Sequence, residues 1–564
     1  MALRDAIGHQ RSPGSGDRRI GAEPGGWWRD AVVYQVYIRS FCDGDGDGIG
    51  DLAGLRTGLP YLRDLGVDGI WLNPCYPSPQ RDHGYDITDY LAIEPAYGDL
   101  DQFDGMLQEA HRLGMRVILD LVPNHCSAEH PWFRQALAGG PACPQRRLFH
   151  FAPGRGTRGA LPPNNWRSMF GGSAWERVLE RDGQPGEWYL HMYAPEQPDW
   201  NWRSRRVRLY FEEVLTFWLD RGVDGFRIDA AAGLFKHRLL PDCDDAGAEE
   251  RTGEPHNRYA WGQRELHPLY RSWRSICDAA SVRDGRERVL IGEVGGFVAD
   301  EQLRDFLRPR ELHEAFLFDL LDAPWDAEAF RRVLVRELAQ ADSASGSIAW
   351  VLGNHDRVRM ATRYGSGAPG AGAGEWPIGR DRARAAAMLL LALPGPVYLY
   401  QGDELGLPEV TDLPDELIVD PIFRYTNGQR RGRDGCRVPL PWRGVDQPFG
   451  FSLDGADVSP WLPQPSSFAE YTIERQRMEA TSTWHLYRSA LALRRNLSQL
   501  RDGQLTWLDS PEQALAFARG DGFVCIVNFG PDSVAGPGSA AAPLLSSAPI
   551  VDGEIPPNTA AWWL

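Results

Sequence analysis

The feature that most constrains the fold of this chain is a regular alternation of short apolar runs with amphipathic stretches. The runs are rich in β-branched and aromatic residues, which is typical of buried strands. Eight of them occur, at residues 32–37, 66–72, 116–122, 223–230, 288–294, 316–321, 348–353 and 396–401. Because strand–helix alternation implies a parallel sheet, this α/β pattern predicts a closed (β/α)₈ barrel with its active site at the carboxyl ends of the strands.

Helix signals lie between the apolar runs. One helix is predicted to begin at Asp101 as N-cap and to end at Gly114, with Phe103, Met106 and Leu107 on its buried face. Residues 382–392 form another amphipathic stretch. A stripe of Leu486, Ala490, Leu493 and Leu497 predicts the last barrel helix.

Two regions interrupt the alternation. Residues 127–202 are rich in Gly, Pro, Trp and Arg and contain no clear crossover helix, which predicts a domain inserted after strand 3. From about residue 504 short strands and turns predict a C-terminal antiparallel β-sandwich. We therefore predict a disordered tail at 1–26, barrel segments at 27–126 and 203–500, an inserted domain at 127–202 and a sandwich at 501–564.

Composition excludes several classes of protein. With 43% hydrophobic and 24% charged residues the chain is globular rather than disordered. A formal net charge of −17 argues against nucleic acid and anionic membranes as partners. The 8 cysteines form no C-x-x-C pair, and residues 1–26 have no apolar core typical of a secretory signal. These features predict free thiols, a cytoplasmic location and no membrane-spanning segment; they leave the oligomeric state open.

Four carboxyl residues stand at or just after predicted strand ends: Asp120, Asp229, Glu293 and Asp356. A barrel would gather these ends into one bowl. Capping of the following helix is the alternative role for each aspartate. Four such residues together, accompanied by Arg227, His125 and His355, favour a reaction site instead.

Paired carboxyl groups permit cleavage of a glycosidic bond, which needs a proton donor and an ionised partner. Arg227 and Asp229 share one strand face, so the guanidinium is expected to keep Asp229 ionised as nucleophile. Glu293 has apolar sequence neighbours, which predicts a raised pKa suited to a general acid/base. His125 and His355 are candidate donors to sugar hydroxyls.

These residues lie in blocks that resemble glycoside hydrolase family 13, the α-amylase family. The blocks are DLVPNH ending at His125, GFRID ending at Asp229, GEV around Glu293, GNHD ending at Asp356 and QPDWN starting at Gln197. The resemblance implies a TIM barrel, an inserted domain B and a C-terminal β-domain. It also implies Asp229 as nucleophile, Glu293 as acid/base and Asp356 as a third carboxylate that holds the distorted substrate, with Asp120, His125, Arg227 and His355 around it.

Within that family the chain looks like the α-glucosidase and oligo-1,6-glucosidase branch, through RDHGYD at 81–86 and the looser match GRDGCRVPLPW at 432–442. That branch implies that Asp82 and Arg433 pair to close the far end of the pocket. It also implies that Tyr85 stacks on the bound glucose. Ala230 occupies a position that carries Val in many α-1,6-specific relatives and Ala or Thr in α-1,4-specific ones.

An acidic loop follows the first strand. Asp43, Asp45, Asp47, the carbonyl of Ile49 and Asp51 alternate with glycines, as oxygen ligands do around a hard cation. Position 12 of the loop is Gly54 rather than Glu, so the loop is not a complete EF-hand. A solvated acidic turn is the alternative. Relatives bind Ca²⁺ in this loop, so the resemblance implies a structural Ca²⁺ site.

The preferred interpretation is an exo-acting, retaining α-glucosidase that acts on small α-1,4-linked gluco-oligosaccharides such as maltose. A glucosyltransferase, trehalose synthase or sucrose isomerase is the alternative, because these enzymes use the same covalent intermediate. A transporter heavy-chain-like barrel without activity is the non-enzyme alternative; its membrane anchor is absent here.

Overall fold

The structure is a computed structural model, and it describes residues 26–243, 257–298, 300–342, 345–365, 376–453, 458–538 and 542–564. All of the predicted tail except Gly26 lies outside the described residues. A closed barrel of parallel strands organises the molecule. Its strands are β1 (Val32–Val36), β2 (Gly69–Leu72), β3 (Arg116–Leu121), β7 (Gly225–Ile228), β8 (Val289–Glu293), β9 (Glu314–Phe316), β10 (Ser347–Val351) and β11 (Val397–Tyr400). Around the barrel they follow the order β1-β11-β10-β9-β8-β7-β3-β2. The predicted barrel is therefore confirmed.

Amphipathic helices pack around the barrel. In chain order the α-helices of the described segments are α1 (Leu52–Leu65), α2 (Leu100–Arg112), α3 (Pro131–Ala138), α4 (Arg205–Arg221), α5 (Leu266–Asp284), α6 (Asp300–Phe306), α7 (Asp319–Asp322), α8 (Ala327–Asp342), α9 (Met360–Arg363), α10 (Trp376–Ala392), α11 (Pro421–Tyr425), α12 (Ile473–Met478), α13 (Thr483–Asn496) and α14 (Ser498–Asp502). None of them is long and apolar enough to cross a bilayer.

The chain between β3 and α4 leaves the barrel. It contains α3 and a three-stranded antiparallel sheet of β4 (Phe151–Ala152), β5 (Trp175–Leu179) and β6 (Pro185–Leu190). These elements fall inside the region 127–202 that was predicted as an insertion. The segment returns to the barrel rim through backbone pairing of His125 with Asp199.

The C-terminal strands form two antiparallel sheets. Their strands are β12 (Leu505–Trp507), β13 (Ala514–Arg519), β14 (Phe523–Asn528), β15 (Val534–Ala535), β16 (Leu545–Ser546), β17 (Glu554–Ile555) and β18 (Thr559–Trp563). The larger sheet has the order β12-β13-β14-β18-β16, and the smaller pairs β15 with β17. Ile526 and Trp563 of one sheet pack with Val534 and Ile555 of the other, as a sandwich requires.

Two local predictions were wrong. The N-cap of α2 is Asp99 rather than Asp101, because Asp99 and Gln102 form a capping box. Strand β9 spans Glu314–Phe316, not 316–321, and α7 begins within the predicted run. The apolar run at 316–321 continues past the end of β9 at Phe316. Strand β9 starts at Glu314, a buried carboxyl residue that gives no strand signal in the sequence.

That residue, Glu314, makes a pH-dependent contribution to stability. It is 1% exposed and accepts a hydrogen bond of 2.7 Å from Tyr398 inside the barrel. Burial raises its pKa from 4.5 to about 8. Between these values the folded chain retains a proton that the unfolded chain has lost, so the free energy of unfolding falls as pH rises through this window.

We expect Glu314→Gln to remove this dependence, because an amide accepts the Tyr398 hydrogen bond without ionising. At pH 8 the variant should be more stable than the wild type, with the difference growing by up to about 1.4 kcal/mol per pH unit above pH 4.5. Denaturant unfolding at pH 5 and pH 8 measures this. Equal pH dependence in both proteins would contradict it.

Candidate active site

The four strand-end carboxyl residues lie together at the carboxyl end of the barrel. Asp120 lies in β3, Glu293 ends β8, and Asp229 and Asp356 follow β7 and β10. None of the four is the N-cap residue of a described helix, so the capping alternative does not apply to them. Strand β7 pairs with β3 on one side and with β8 on the other. This pairing brings Asp120, Asp229 and Glu293 close together.

Arg227 joins three of these carboxyl groups, Asp120, Asp229 and Glu293, in a cluster of ion pairs that we call the Arg227 hub. Its Nη1 donates to Asp120 at 3.0 Å and to Asp229 at 2.7 Å, and its Nη2 lies 2.9 Å from Oε2 of Glu293. The guanidinium is 2% exposed and packs on the ring of Trp71. The apolar sequence neighbours of Glu293 therefore describe only part of its setting, because Arg227 contacts it as well. The sequence neighbours of Glu293 do not reveal Arg227, because Arg227 lies on the adjacent strand β7.

Three buried carboxyl groups compete for this single cation. Burial raises the pKa of Asp229 well above its usual range; Arg227 opposes the shift, and Glu293 and Asp120 add to it. Burial likewise raises the pKa of Asp120 to about 6. Burial and the neighbouring carboxyl groups therefore oppose the expected effect of Arg227, which was to keep Asp229 ionised.

Ala230 touches the same cluster through its backbone. Its N–H donates to Oε2 of Glu293 at 3.0 Å, and its φ of +45° is in the left-handed region. Strand β7 ends at Ile228, so the predicted strand to residue 230 is two residues too long. A β-branched side chain at this φ is strained, since its Cβ substituents meet the backbone.

Arg433 forms a second hub on the other side of the bowl. Its Nη2 lies 2.6 Å from Asp82, its Nη1 3.0 Å from Asp356 and its Nε 2.6 Å from Asp420. Arg437 also donates to Asp356, at 2.9 Å. Burial acts to raise the pKa of Asp356, but His355 and the two arginines outweigh it, so this pKa lies below its usual range.

The two histidines are buried around these hubs. Nε2 of His125 lies 3.1 Å from the carbonyl of Tyr85 and 3.0 Å from Nε2 of Gln197, which also donates to Asp82 at 3.0 Å. Nε2 of His355 lies 3.4 Å from Asp356. Burial lowers the pKa of both imidazoles.

Tyr85 lies between the two hubs. Its hydroxyl donates to Asp120 at 2.9 Å and accepts from Asn73 at 2.9 Å. One face of its ring stacks on His355 at 5.3 Å with an interplanar angle of 2°. A sugar can therefore stack only on the opposite face.

Sequence reasoning did not single out five residues that belong to this site. Gln197 and Arg437 lie inside the quoted blocks, which was the only available signal. Asp420, Phe170 and Tyr193 had none: Arg433 packs over the ring of Phe170 at 5.2 Å, and Tyr193 packs on His125 at 5.0 Å. The last two come from the inserted segment and reach the bowl only through tertiary packing.

The acidic loop brings three of its four aspartates together. Ligand atoms of Asp43, Asp45 and Asp51 lie within 4.8 Å of one another, and Asp47 is outside this group. Oδ1 of Asp47 accepts the backbone N–H of Ile49 at 2.8 Å, and Asp43 and Asp51 likewise accept backbone N–H groups of the loop. Three converging carboxylates are a donor set that suits a hard cation such as Ca²⁺. The loop lies beside α1, whose N-cap is Asp51, and contains none of the four strand-end carboxyl residues.

The chain is similar to known proteins over most of its length. The family model "Alpha amylase, catalytic domain" matches residues 35–503. The chain is 34% identical over 524 residues to a probable alpha-glucosidase of Rhizobium meliloti, covering 90% of each chain. It is 32% identical over 500 residues to an oligo-1,6-glucosidase of Parageobacillus thermoglucosidasius, covering 83% of this chain and 84% of that one.

Solved structures resemble the fold over nearly its whole length. The alpha-glucosyl transfer enzyme XgtA has a TM-score of 0.83 at 32% identity, covering 95% of this chain and 99% of that one. The trehalulose synthase MutB of Pseudomonas mesoacidophila MX-45 has a TM-score of 0.82 at 30% identity, covering 96% of this chain and 100% of that one. Similar barrels thus carry out both hydrolysis and transfer.

Proposed function

The chain belongs to the α-amylase family of glycoside hydrolases, and we propose that it is an exo-acting, retaining α-glucosidase. Its substrates would be short α-1,4-linked gluco-oligosaccharides such as maltose, cut at the non-reducing end. The Arg433 hub is the observation that carries this proposal. This guanidinium, 12% exposed and bound to Asp82, Asp356 and Asp420, would close one end of the bowl, so that a terminal sugar could enter but a continuing chain could not.

The Arg227 hub supports a retaining mechanism. One guanidinium binds both Asp229 and Glu293, which favours the short separation of about 5–5.5 Å that a double displacement needs. In the first step Asp229 attacks the anomeric carbon while Glu293 protonates the leaving oxygen. In the second step Glu293 removes a proton from a water molecule. The water oxygen attacks the anomeric carbon and displaces the Asp229 carboxylate, which restores the α-configuration.

The first step requires Glu293 to carry a proton and Asp229 to be ionised when substrate binds. Asp356, whose low pKa keeps it charged, would bind hydroxyl groups of the distorted sugar together with His355. Arg227 would remain bound to Asp229 and Asp120 and keep the nucleophile oriented.

Glucosyl transfer is the second candidate function, because XgtA and MutB resemble the chain over nearly its full length. Hydrolysis and transfer share the covalent step and differ in the acceptor. Incubation with maltose, isomaltose, sucrose and trehalose, followed by chromatography of the products, separates them. Free glucose as the main product from dilute maltose supports the glucosidase; oligosaccharides or isomerised disaccharides as main products would contradict it.

The preference for α-1,4 linkages rests on Ala230. Its methyl group follows the nucleophile at the strand end, and a larger β-branched residue there would crowd an α-1,4-linked acceptor. We expect kcat/KM for maltose to exceed that for isomaltose by about 10–200-fold, the range that shape alone provides. Steady-state kinetics on the two disaccharides measures this ratio, and a preference for isomaltose would contradict it.

Two variants separate crowding from backbone strain. Ala230→Val should reduce the preference, mainly through lower activity on maltose, but it also adds strain at a φ of +45°. Ala230→Gly removes the strain without adding bulk, so it should retain the preference. An unchanged substrate ratio in Ala230→Val would contradict the steric explanation.

We also propose that the acidic loop binds one structural Ca²⁺ through Asp43, Asp45 and Asp51, with the carbonyl of Ile49 and with Asp47 as further candidates. A ligand that binds only the folded state stabilises it, by about 2.7 kcal/mol at one hundred times its Kd. EDTA should therefore lower the melting temperature, and added Ca²⁺ should restore it. Asp43→Asn should abolish this response. No bound metal by elemental analysis, with no effect of EDTA, would contradict the site.

A further inference from the structure

Two consecutive residue pairs join the loop at 81–86 to the turn at 432–437. Asp82 lies 2.6 Å from Arg433, and in the next position Nε2 of His83 lies 3.0 Å from Oδ1 of Asp434. The first pair belongs to the sugar pocket described above. The second lies behind it, with both residues buried at 2% and 1% exposure.

The second pair is connected to Arg433 by short bonds. Oδ2 of Asp434 accepts the backbone N–H groups of Val419 at 2.8 Å and of Asp420 at 3.1 Å. Oδ2 of Asp420 in turn accepts both the backbone N–H of Arg433, at 2.9 Å, and its Nε, at 2.6 Å. His83 therefore contacts, through Asp434, a hydrogen-bonded path that ends at the guanidinium proposed to close the pocket.

His83 is held in place by few other groups. Its Nδ1 makes no hydrogen bond in the described part of the chain, and its contact with Asp434 is close without being well aligned. Its backbone φ is +51°, so the loop adopts a left-handed conformation there, as at Gly84. The ring packs edge-on against Trp461 at 5.9 Å. A loop with this shape depends on side-chain contacts, since it belongs to no helix or strand.

A metal ion is a poorer explanation for this cluster. Ligand atoms of His83, Asp420 and Asp434 lie within 4.8 Å of one another. Arg433 already binds Asp420, however, and Nη1 of Arg437 lies 3.9 Å from the same carboxylate. These guanidinium groups neutralise the acidic residues and would repel a further cation.

We propose that His83 is a positioning residue for the sugar pocket: through Asp434 and Asp420 it holds Arg433 in the register that pairs it with Asp82. This inference rests on the proposed glucosidase function. His83 does not touch the sugar in this arrangement. Its loss would loosen binding of the terminal glucose while leaving the Asp229 and Glu293 chemistry unchanged.

The test compares His83→Ala with His83→Gln. The amide nitrogen of Gln reaches about as far from the backbone as Nε2 of His and offers an N–H to Asp434, so Gln should preserve most of the function. For His83→Ala we expect KM for maltose and the inhibition constant of glucose to rise in parallel, by about tenfold or more, with kcat changed less than about threefold. Steady-state kinetics with glucose as competitive inhibitor provides all three values.

His313→Ala serves as the matched control, because His313 is 1% exposed, immediately precedes β9 and accepts a backbone N–H from Leu290. It should lower the melting temperature without changing KM. A His83→Ala enzyme with KM and glucose inhibition within twofold of wild type would overturn the inference, as would a failure of His83→Gln to retain values near those of wild type. An inactive wild-type chain would instead overturn the proposed function.

Discussion

Asp229→Asn and Glu293→Gln are each expected to lower kcat for maltose by about 10⁴-fold or more, because each removes a group that forms or breaks a bond in the transition state. Both variants should fold. Asn at 229 can still accept from Arg227, and Gln at 293 can still accept from the Ala230 N–H, which lies 3.0 Å from Oε2. The melting temperature, measured alongside kcat, separates lost chemistry from lost structure.

Substrates with different leaving groups distinguish the two roles. An aryl α-glucoside with an acidic phenol needs little protonation, so Glu293→Gln should retain more activity on it than on maltose. Asp229→Asn should be equally inactive on both, since no glucosyl-enzyme forms. Equal losses of Glu293→Gln on the two substrates would contradict its role as the acid.

The stereochemistry gives a further check on the same mechanism. Wild-type enzyme should release α-glucose first, as seen by NMR within the first turnovers, because two inversions restore the configuration. β-Glucose as first product would contradict the assignment of Asp229 as nucleophile. It would also require space for a water molecule where Arg227 now holds Asp229 and Glu293 together.

Arg433→Ala is expected to weaken the binding of small substrates much more than Asp82→Ala does. Loss of Arg433 leaves the buried Asp82 and Asp420 and the half-buried Asp356 without this partner, and removing one member of a buried ion pair typically costs about 3–5 kcal/mol. Loss of Asp82 leaves Arg433 with two carboxylates, so its cost should be smaller. We expect KM for maltose to rise at least about 100-fold in Arg433→Ala.

Arg424→Ala is the control for this pair. Its guanidinium is 47% exposed and bound to Glu196 at the rim, so its removal should change KM little. The double variant Asp82→Ala with Arg433→Ala should recover part of the single Arg433 loss, since one unpaired carboxylate is gone. Wild-type enzyme that cuts starch internally as fast as maltose would contradict the closed pocket altogether.

The sequence alone determined the barrel and most of the residues at its carboxyl end. Strand patterning is local, since each buried strand needs its own apolar run, and a barrel of such strands places Asp120, Asp229 and Glu293 on one rim. The same logic fails at β9, where Glu314 replaces an apolar residue inside the barrel. A strand that begins with a buried, protonated carboxyl group has no signature in the linear pattern.

Only the tertiary structure decided which groups pair with which. Arg227 binds Glu293 across neighbouring strands, so the environment of that acid could not be inferred from Ile291 and Gly292 beside it. Asp82 and Arg433 are separated by 351 positions along the chain, and Asp434 and His83 meet behind them. Contacts between loops depend on how the completed barrel packs them, whereas the local apolar pattern depends only on burial; the sequence therefore predicts where the carboxyl groups lie but not their partners.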